Sequence, residues 1–324
     1  MTVAVLGAAG AVGRLVIEAL EDLGLGPVRS GTRVTVDAAD PAAVARFADG
    51  AAVLVNCLGP AFRLRGRVVA AADRTGCAYV DPSGDDALHA RLSGERVGVP
   101  VVTGVGSVPG ALGLLARWLA DGRPPGGRLR GHVLTDEPIH PGTALEFLLG
   151  ARVGQDAGAP TTIRLPVVPQ PLLAYAFTSR ETADLVADLR PDDAAFYHCF
   201  AEDGAALRTV RRLAGLSLRE AAAEFAAAVN ADLEGRLPTH AVVVTAGERT
   251  AVLRADSSYR VTANMVALAV GELIGGTVPA GVARADVLDP SIVTRLPRLP
   301  GGVTLTVSPR DHGLCADLGP RSAQ

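Results

Sequence analysis

The chain opens on an unbroken apolar run, Val3-Ala4-Val5-Leu6, which stops at Gly7 and gives way to apolar positions at helical spacing: Val12, Leu15, Val16, Ala19, Leu20 and Leu23. A short continuous run followed by a three-to-four periodicity predicts a strand buried on both faces, then a helix with one face on the sheet. The alternation recurs. Ala52–Asn56 reads as a buried parallel strand, a helix from about Arg65 to Arg74 ends before Gly76, and Ala78–Asp81 and Pro100–Thr103 read as further strands. Gly104–Gly110 opens a helix through Trp118. Between the first helix and Asp40, Pro27–Arg33 and Val34–Asp40 fit two short strands with hardly room for a helix between them. Asp40-Pro41 supplies an N-cap and a proline at the first helical position, so a helix to about Phe47 follows. Strands alternating with helices over residues 1–120 describe an α/β domain of the Rossmann type, a doubly wound parallel sheet.

The pattern changes at Asp121–Gly127, a Gly/Pro-rich linker. From residue 121 to 256 the segments are mixed, as in an α+β domain for substrate binding or dimerisation. Leu129–Thr135 and Ala241–Ala246 read as strands, and Pro160–Pro171 as a loop or edge strand. Ser217-Leu218-Arg219-Glu220 is a capping box for a helix reaching about Leu233. Ala195–Phe200 is the only aromatic-dense stretch, and its rings are read at helical spacing as core or pocket wall. Tyr259–Thr262 caps a strongly apolar helix, Ala263–Ile274; residues 257–324 are expected to return to the first domain, with a frayed tail from about Gly313.

Composition narrows the chemistry. A length of 324 residues favours two domains, and 48% apolar residues suffice for two cores. A formal charge of −3 and the lack of a basic block argue against nucleic acid as a partner. No lysine occurs anywhere, so all 31 basic residues are arginine, which excludes a lysine base, a Schiff base and a P-loop lysine. Cys57, Cys77, Cys199 and Cys315 show no C-x-x-C spacing and read as reduced thiols packed as small hydrophobes. No H-E-x-x-H or carboxylate–histidine cluster points to a metal, and no G-x-S-x-G elbow to a hydrolase. Without a basic leader or a membrane-length apolar run, the chain is expected to be cytoplasmic.

The informative motif is the first turn, Gly7-Ala8-Ala9-Gly10-Ala11-Val12-Gly13. Glycines there let backbone N–H groups of Ala9, Gly10, Ala11, Val12 and Gly13 approach a pyrophosphate, and the helix N-terminus contributes about half a positive charge. In open α/β sheets ligands lie beyond the carboxyl ends of the strands, so Asn56-Cys57-Leu58-Gly59-Pro60, Asp81–Gly84 and Gly104–Pro109, with Gly106 in it, are expected to hold ribose and nicotinamide in turn. Simpler roles compete: Asn56 as a strand-end turn former, Cys57 as a core thiol, Asp81 as the cap of the next turn. A dinucleotide site usually has an acid at the end of its second strand for the adenosine ribose. This chain has Ser30, Thr32 and Arg33 instead, a set suited to a 2′-phosphate and hence to NADP over NAD.

Four stretches in order resemble the saccharopine dehydrogenase/saccharopine reductase-like family of NAD(P)-binding proteins: VLGAAGAVG; VLVNCLGPAFRLRGRVVAAADRTGCAYVDPSGD over Val53–Asp85; TGVGSVPGALGLLAR over Thr103–Arg117; and SSYRVTANMVALAVGELIGG over Ser257–Gly276. His140-Pro141-Gly142-Thr143 is similar to a turn early in that family's second domain, whereas Gly150 to Leu237 matches nothing recognisable. The resemblance implies a Rossmann domain, a second domain around a mixed sheet, a homodimer formed through that sheet, and hydride transfer with a nicotinamide cofactor, here reduction of a C=N or activated C=C bond of a small-molecule substrate. Such chemistry often needs an acid within hydrogen-bond reach. His140 is the first candidate, ahead of Tyr79, Tyr197 and His198; the simpler reading of His140 is a loop or capping histidine, and strand alternation would place Tyr79 in the core. The alternative is a Rossmann protein whose pruned second strand leaves it a non-redox catalyst or binding subunit.

Overall fold

A computed structural model of the chain describes residues 1–59, 65–83, 89, 92, 94, 96–153, 160–201 and 216–309. The chain folds as two compact units, Met1–Leu114 with Tyr259–Val303, and Leu115–Ser258 with Thr304 onward.

The first unit is Rossmann-like. Its six strands are β1 (Thr2–Leu6), β2 (Val28–Gly31), β3 (Ala51–Asn56), β4 (Ala78–Val80), β5 (Pro100–Thr103) and β12 (Gly281–Arg284), in spatial order β2-β1-β3-β4-β5-β12. Every pair is parallel. Val3, Ala4, Val5, Val53, Leu54 and Val55 are fully buried, as strands covered on both faces require. The helices are α1 (Ala11–Asp22), α2 (Pro41–Ala48), α3 (Arg65–Thr75), α4 (Ala111–Ala120), which runs out of this unit, and α8 (Ser258–Ile274). Asp40 caps α2 as its sequence indicates, its Oδ1 accepting from the Ala42 N–H at 2.8 Å. Ten residues of α8 between Val261 and Leu273 are buried, so this helix is apolar all round and runs through a core. It begins at Ser258 rather than Ala263, because Tyr259–Thr262 form its first turn.

Two segments of the first unit and its neighbour depart from expectation. Val34–Asp40 is not a strand. The Thr32 carbonyl accepts from the Thr35 and Val36 N–H groups, the Asp37 side chain accepts from Ala39 N–H, and Val34 is 95% exposed. Local hydroxyl and carboxylate acceptors compete with sheet pairing here. The end of the chain does not all return to the first unit either: β13 (Thr304–Pro309) pairs antiparallel with β11.

The second unit is a mixed seven-stranded sheet, β6 (Arg128–Asp136), β7 (Thr161–Ile163), β8 (Leu172–Ala176), β9 (Asp193–Ala201), β10 (Thr239–Ala246), β11 (Arg249–Ala255) and β13, in order β13-β11-β10-β6-β9-β8-β7. Only β6 and β9 pair in parallel. Ala195–Phe200, expected on helical spacing, lies inside β9. Helices α5 (Pro141–Val153), α6 (Arg180–Leu189) and α7 (Leu218–Asp232) belong to this unit, with α5 and α7 meeting around Ala144, Leu148, Ala222 and Phe225. The Ser217 capping box on α7 is formed in both directions. Among the described residues, no helix is long and apolar enough to cross a membrane.

Candidate functional site

In a parallel sheet all strands end on one side, so the loops after β1, β2, β3, β4, β5 and β12 share one edge of the first unit. Gly7 leaves β1 with φ +78°, in the left-handed region that favours glycine. Gly13 sits in the first turn of α1, and a Cβ there would lie 2.1 Å from the Gly7 carbonyl oxygen. A side chain at Gly13 would push α1 off the strand end, and one at Gly7 would press on the backbone of the loop after β3. Gly10 is the N-cap of α1 and has no side chain to offer the helix. The N–H groups of Ala11, Val12 and Gly13 have no acceptor within the helix by geometry. Ala9, Gly10 and Ala11 are exposed and Val12 is partly so. The loop is therefore open, and an acceptor from outside, such as a phosphate oxygen, is what it lacks.

The end of β2 is tied to this loop: the Gly31 carbonyl accepts from the N–H groups of both Gly7 and Ala8, each at 3.0 Å. Ser30 and Arg33 are exposed, and the Arg33 guanidinium has no partner among the described residues. The Thr32 hydroxyl is engaged within its own turn, 3.2 Å from that of Thr35 and 3.3 Å from Val34 N–H. Among the described residues β2 is the edge of the sheet, so no further strand flanks Ser30.

At β3, Cys57 N–H donates to Leu6 and its carbonyl oxygen would lie 2.7 Å from a Cβ on Gly7, which brings the two loops into contact. Burial, and then the neighbouring Asp81 charge, push the Cys57 thiol well above its ordinary range, so it stays protonated. Leu58 is partly exposed and Gly59 exposed. Pro60 lies outside the described residues.

Below these loops lies a polar network that the sequence did not announce. Asn56 is 1% exposed, and Tyr79 and Asp81 not at all. The Tyr79 hydroxyl donates to Asp81 Oδ2 at 2.7 Å; the Asn56 side-chain amide donates to the same oxygen at 3.1 Å and lies 2.9 Å from the Tyr79 oxygen. This corrects two expectations. Tyr79 is no proton donor to a substrate, because its ring is sealed in the core and its hydroxyl is given to a carboxylate. Asp81 is not an open ligand contact, because it is closed off beneath the loop whose Ser83 N–H it caps at 2.7 Å. Gly106 differs as well: its N–H donates to Pro109 and its carbonyl accepts from Ala111, so its backbone closes its own loop and a Cβ would lie 2.8 Å from the Pro82 oxygen.

The other candidate donors lie in the second unit. His140 caps α5, its Nδ1 accepting from Gly142 N–H at 3.0 Å. His198 is stacked on Phe177 at 4.1 Å and meets the edge of Phe147; burial lowers its pKa to about 4, so the ring is neutral near pH 7. Tyr197 points to the opposite face of β9 and stacks on His132 at 5.2 Å. Strand alternation thus separates Tyr197 from His198. Sequence reasoning missed two residues. Glu137, 1% exposed, receives the Ser258 N–H on both carboxylate oxygens at 2.9 and 3.0 Å and so caps α8 from 121 positions away. His89 is brought to the end of β5, with Nδ1 3.2 Å from the Thr103 hydroxyl. Only an acid directly before Pro138 hinted at the first.

Among curated proteins, the chain is 35% identical over 98 residues to a probable mitochondrial saccharopine dehydrogenase-like oxidoreductase of Arabidopsis thaliana. That stretch is 28% of this chain and covers only 21% of the relative's length. Among solved structures, apo saccharopine dehydrogenase (L-Glu forming) of Saccharomyces cerevisiae superposes with a TM-score of 0.59 over 95% of this chain and 99% of that one, at 12% identity. The fold is saccharopine dehydrogenase-like. The WlbA dehydrogenase of Thermus thermophilus, whose structure holds NAD and UDP-GlcNAcA, superposes less well, with a TM-score of 0.45 at 13% identity over 93% of the chain. No family model matches the chain.

Proposed function

We propose that this chain is an NAD(P)H-dependent oxidoreductase that binds its dinucleotide across the carboxyl edge of the parallel sheet. It then transfers hydride to a C=N or activated C=C bond of a small metabolite. The observation that carries the reading is the Gly7–Gly13 turn: a side chain at either end would meet backbone, and the first turn of α1 has no side-chain cap on its N–H groups, with Ala11 exposed and Val12 partly so. The pyrophosphate would accept from those groups, with the adenosine half toward β2 and the nicotinamide half toward the loops after β3, β4 and β5. Ser30 and Arg33 would receive a 2′-phosphate, which favours NADPH. The 35% identity to an oxidoreductase supports the activity class. Arg33→Ala is expected to weaken NADPH by about tenfold or more, the weight of a hydrogen bond to a charged group, and to leave NADH nearly unchanged. Titration calorimetry with both dinucleotides reads this directly; equal losses overturn the NADPH assignment, and no binding of either overturns the function.

A second reading is favoured by the exposed edge at β2, which leaves one wall of an adenine site open. In it the chain binds a dinucleotide without turning it over, or serves as a binding subunit. Full affinity for NADPH with no oxidation on offering imines and enoyl compounds would select that reading. The reductase is further proposed to act as a homodimer in the cytoplasm; sedimentation and localisation of the tagged chain test these two points.

A further inference from the structure

The loops on the carboxyl edge are anchored in two separate sets. The loops after β1 and β2 are joined by the Gly31 carbonyl, which takes the Gly7 and Ala8 N–H groups. The loops after β3 and β4 are joined through the buried network instead, and backbone bonds tie the loop after β5 to that after β4. Asn56 Oδ1 accepts from Leu58 N–H at 3.3 Å and Asp81 Oδ1 from Ser83 N–H at 2.7 Å; the Asp81 carbonyl accepts from Val105 N–H and the Ser83 carbonyl from Gly104 N–H, each at 3.0 Å. The Asp81 carboxylate thus links the loops after β3 and β4, the loop after β5 is tied to the latter by backbone bonds, and the Tyr79 hydroxyl, donated from inside the core, fixes Asp81 Oδ2.

A carboxylate with no exposure is costly, and apolar side chains of similar volume would stabilise the sheet end at least as well. What the polar version adds is direction: Asn56 Oδ1 and Asp81 Oδ1 each fix one backbone N–H, of Leu58 and Ser83, while Asn56 and Tyr79 both donate to Asp81 Oδ2, so the loops after β3 and β4 are held to each other. We infer that the Asn56–Tyr79–Asp81 network is a positioning device for the nicotinamide half of the bound dinucleotide. Tyr79 acts through Asp81 and never touches the ligand. The inference rests on the function proposed above and adds to it a division of labour: the β1–β2 set holds the adenosine and pyrophosphate, and the network sets the nicotinamide floor.

The test compares affinities for NADPH and for 2′,5′-ADP, which carries only the adenosine half, in the full chain. Tyr79→Phe removes one hydroxyl and keeps the ring. It is expected to weaken NADPH about tenfold while leaving 2′,5′-ADP within twofold. Asp81→Asn cannot accept from all its donors and is expected to widen that gap. Circular dichroism checks that each variant is folded, and Asn56→Ser replaces Tyr79→Phe if the latter is not. A purely structural role would shift the melting temperature but move the two ligands together. Equal losses for both ligands, or no loss for either, overturn the positioning role alone. A wild-type chain that binds neither NADPH nor 2′,5′-ADP overturns the function, and this inference with it.

Discussion

At the scale of single residues, glycine spacing carries the clearest consequence. A methyl group on Gly13 would approach the Gly7 carbonyl oxygen to 2.1 Å, against 3.1 Å for one on Gly10. Gly13→Ala is therefore expected to cost about 1–3 kcal/mol through overpacking against backbone that has no room to yield. Gly10→Ala should cost less, and urea unfolding of the two variants gives the comparison. Such glycines are legible because their spacing and flanks report a local geometry. The roles of Tyr79 and Asp81 are not legible in the same way. Two residues apart on one strand end, they share a face, but only the packing of β3 beside β4 shows that both meet Asn56, 23 and 25 positions away. Glu137 is harder still, since its partner is the first residue of a helix that begins 121 positions later.

At the scale of elements, caps could be read from sequence and sheet neighbours could not. The α7 capping box depends on four consecutive residues. Ser217→Ala is expected to lower stability by about 1 kcal/mol, measurable by denaturant titration, and Ser217→Gly by a few tenths. By contrast, β9 was read on the wrong period. Its rings meet other rings on both faces, Phe147 and Phe177 on one and His132 on the other, so no polar alternation marks it as a strand. The same burial predicts a pH dependence. His132 and His240 are 3% and 2% exposed, and burial lowers both to about 4 from an ordinary 6.5, with Arg130 adding to the effect at His132. Folded, these rings stay neutral down to about pH 4; unfolded, they take up protons below 6.5. Their contribution is therefore intact above pH 6.5 and is lost as pH falls toward 4, by up to about 1.4 kcal/mol per pH unit for each ring. Burial raises the Glu137 and Asp136 carboxyls, which works in the opposite sense just above their ordinary values. The imidazoles should dominate nearer pH 6. Melting curves from pH 7 to 5 are expected to fall, and to fall less steeply in His132→Phe.

For the molecule as a whole, the alternation of strand and helix disclosed the parallel sheet, because each βα step is a local event. The second sheet was only partly visible. Its order, β13-β11-β10-β6-β9-β8-β7, joins strands from distant segments, and β13 comes after the whole of the first unit is complete. Ending the chain at Val303 is expected to leave β11 as an unpaired edge. Light scattering on heating should then rise earlier than for the full chain. The loss should be confined to the melting of the second sheet.

The interleaving of the units also bears on how the protein is made. The parallel sheet waits for Gly281–Arg284 and the mixed sheet for Thr304–Pro309, so neither can be finished while the ribosome still holds these segments. Nascent chains would carry two incomplete platforms through most of their synthesis, with open hydrogen-bonding rims that invite association between neighbours on a polysome. Such a connectivity sets the order of events: each sheet closes only when its last strand has emerged.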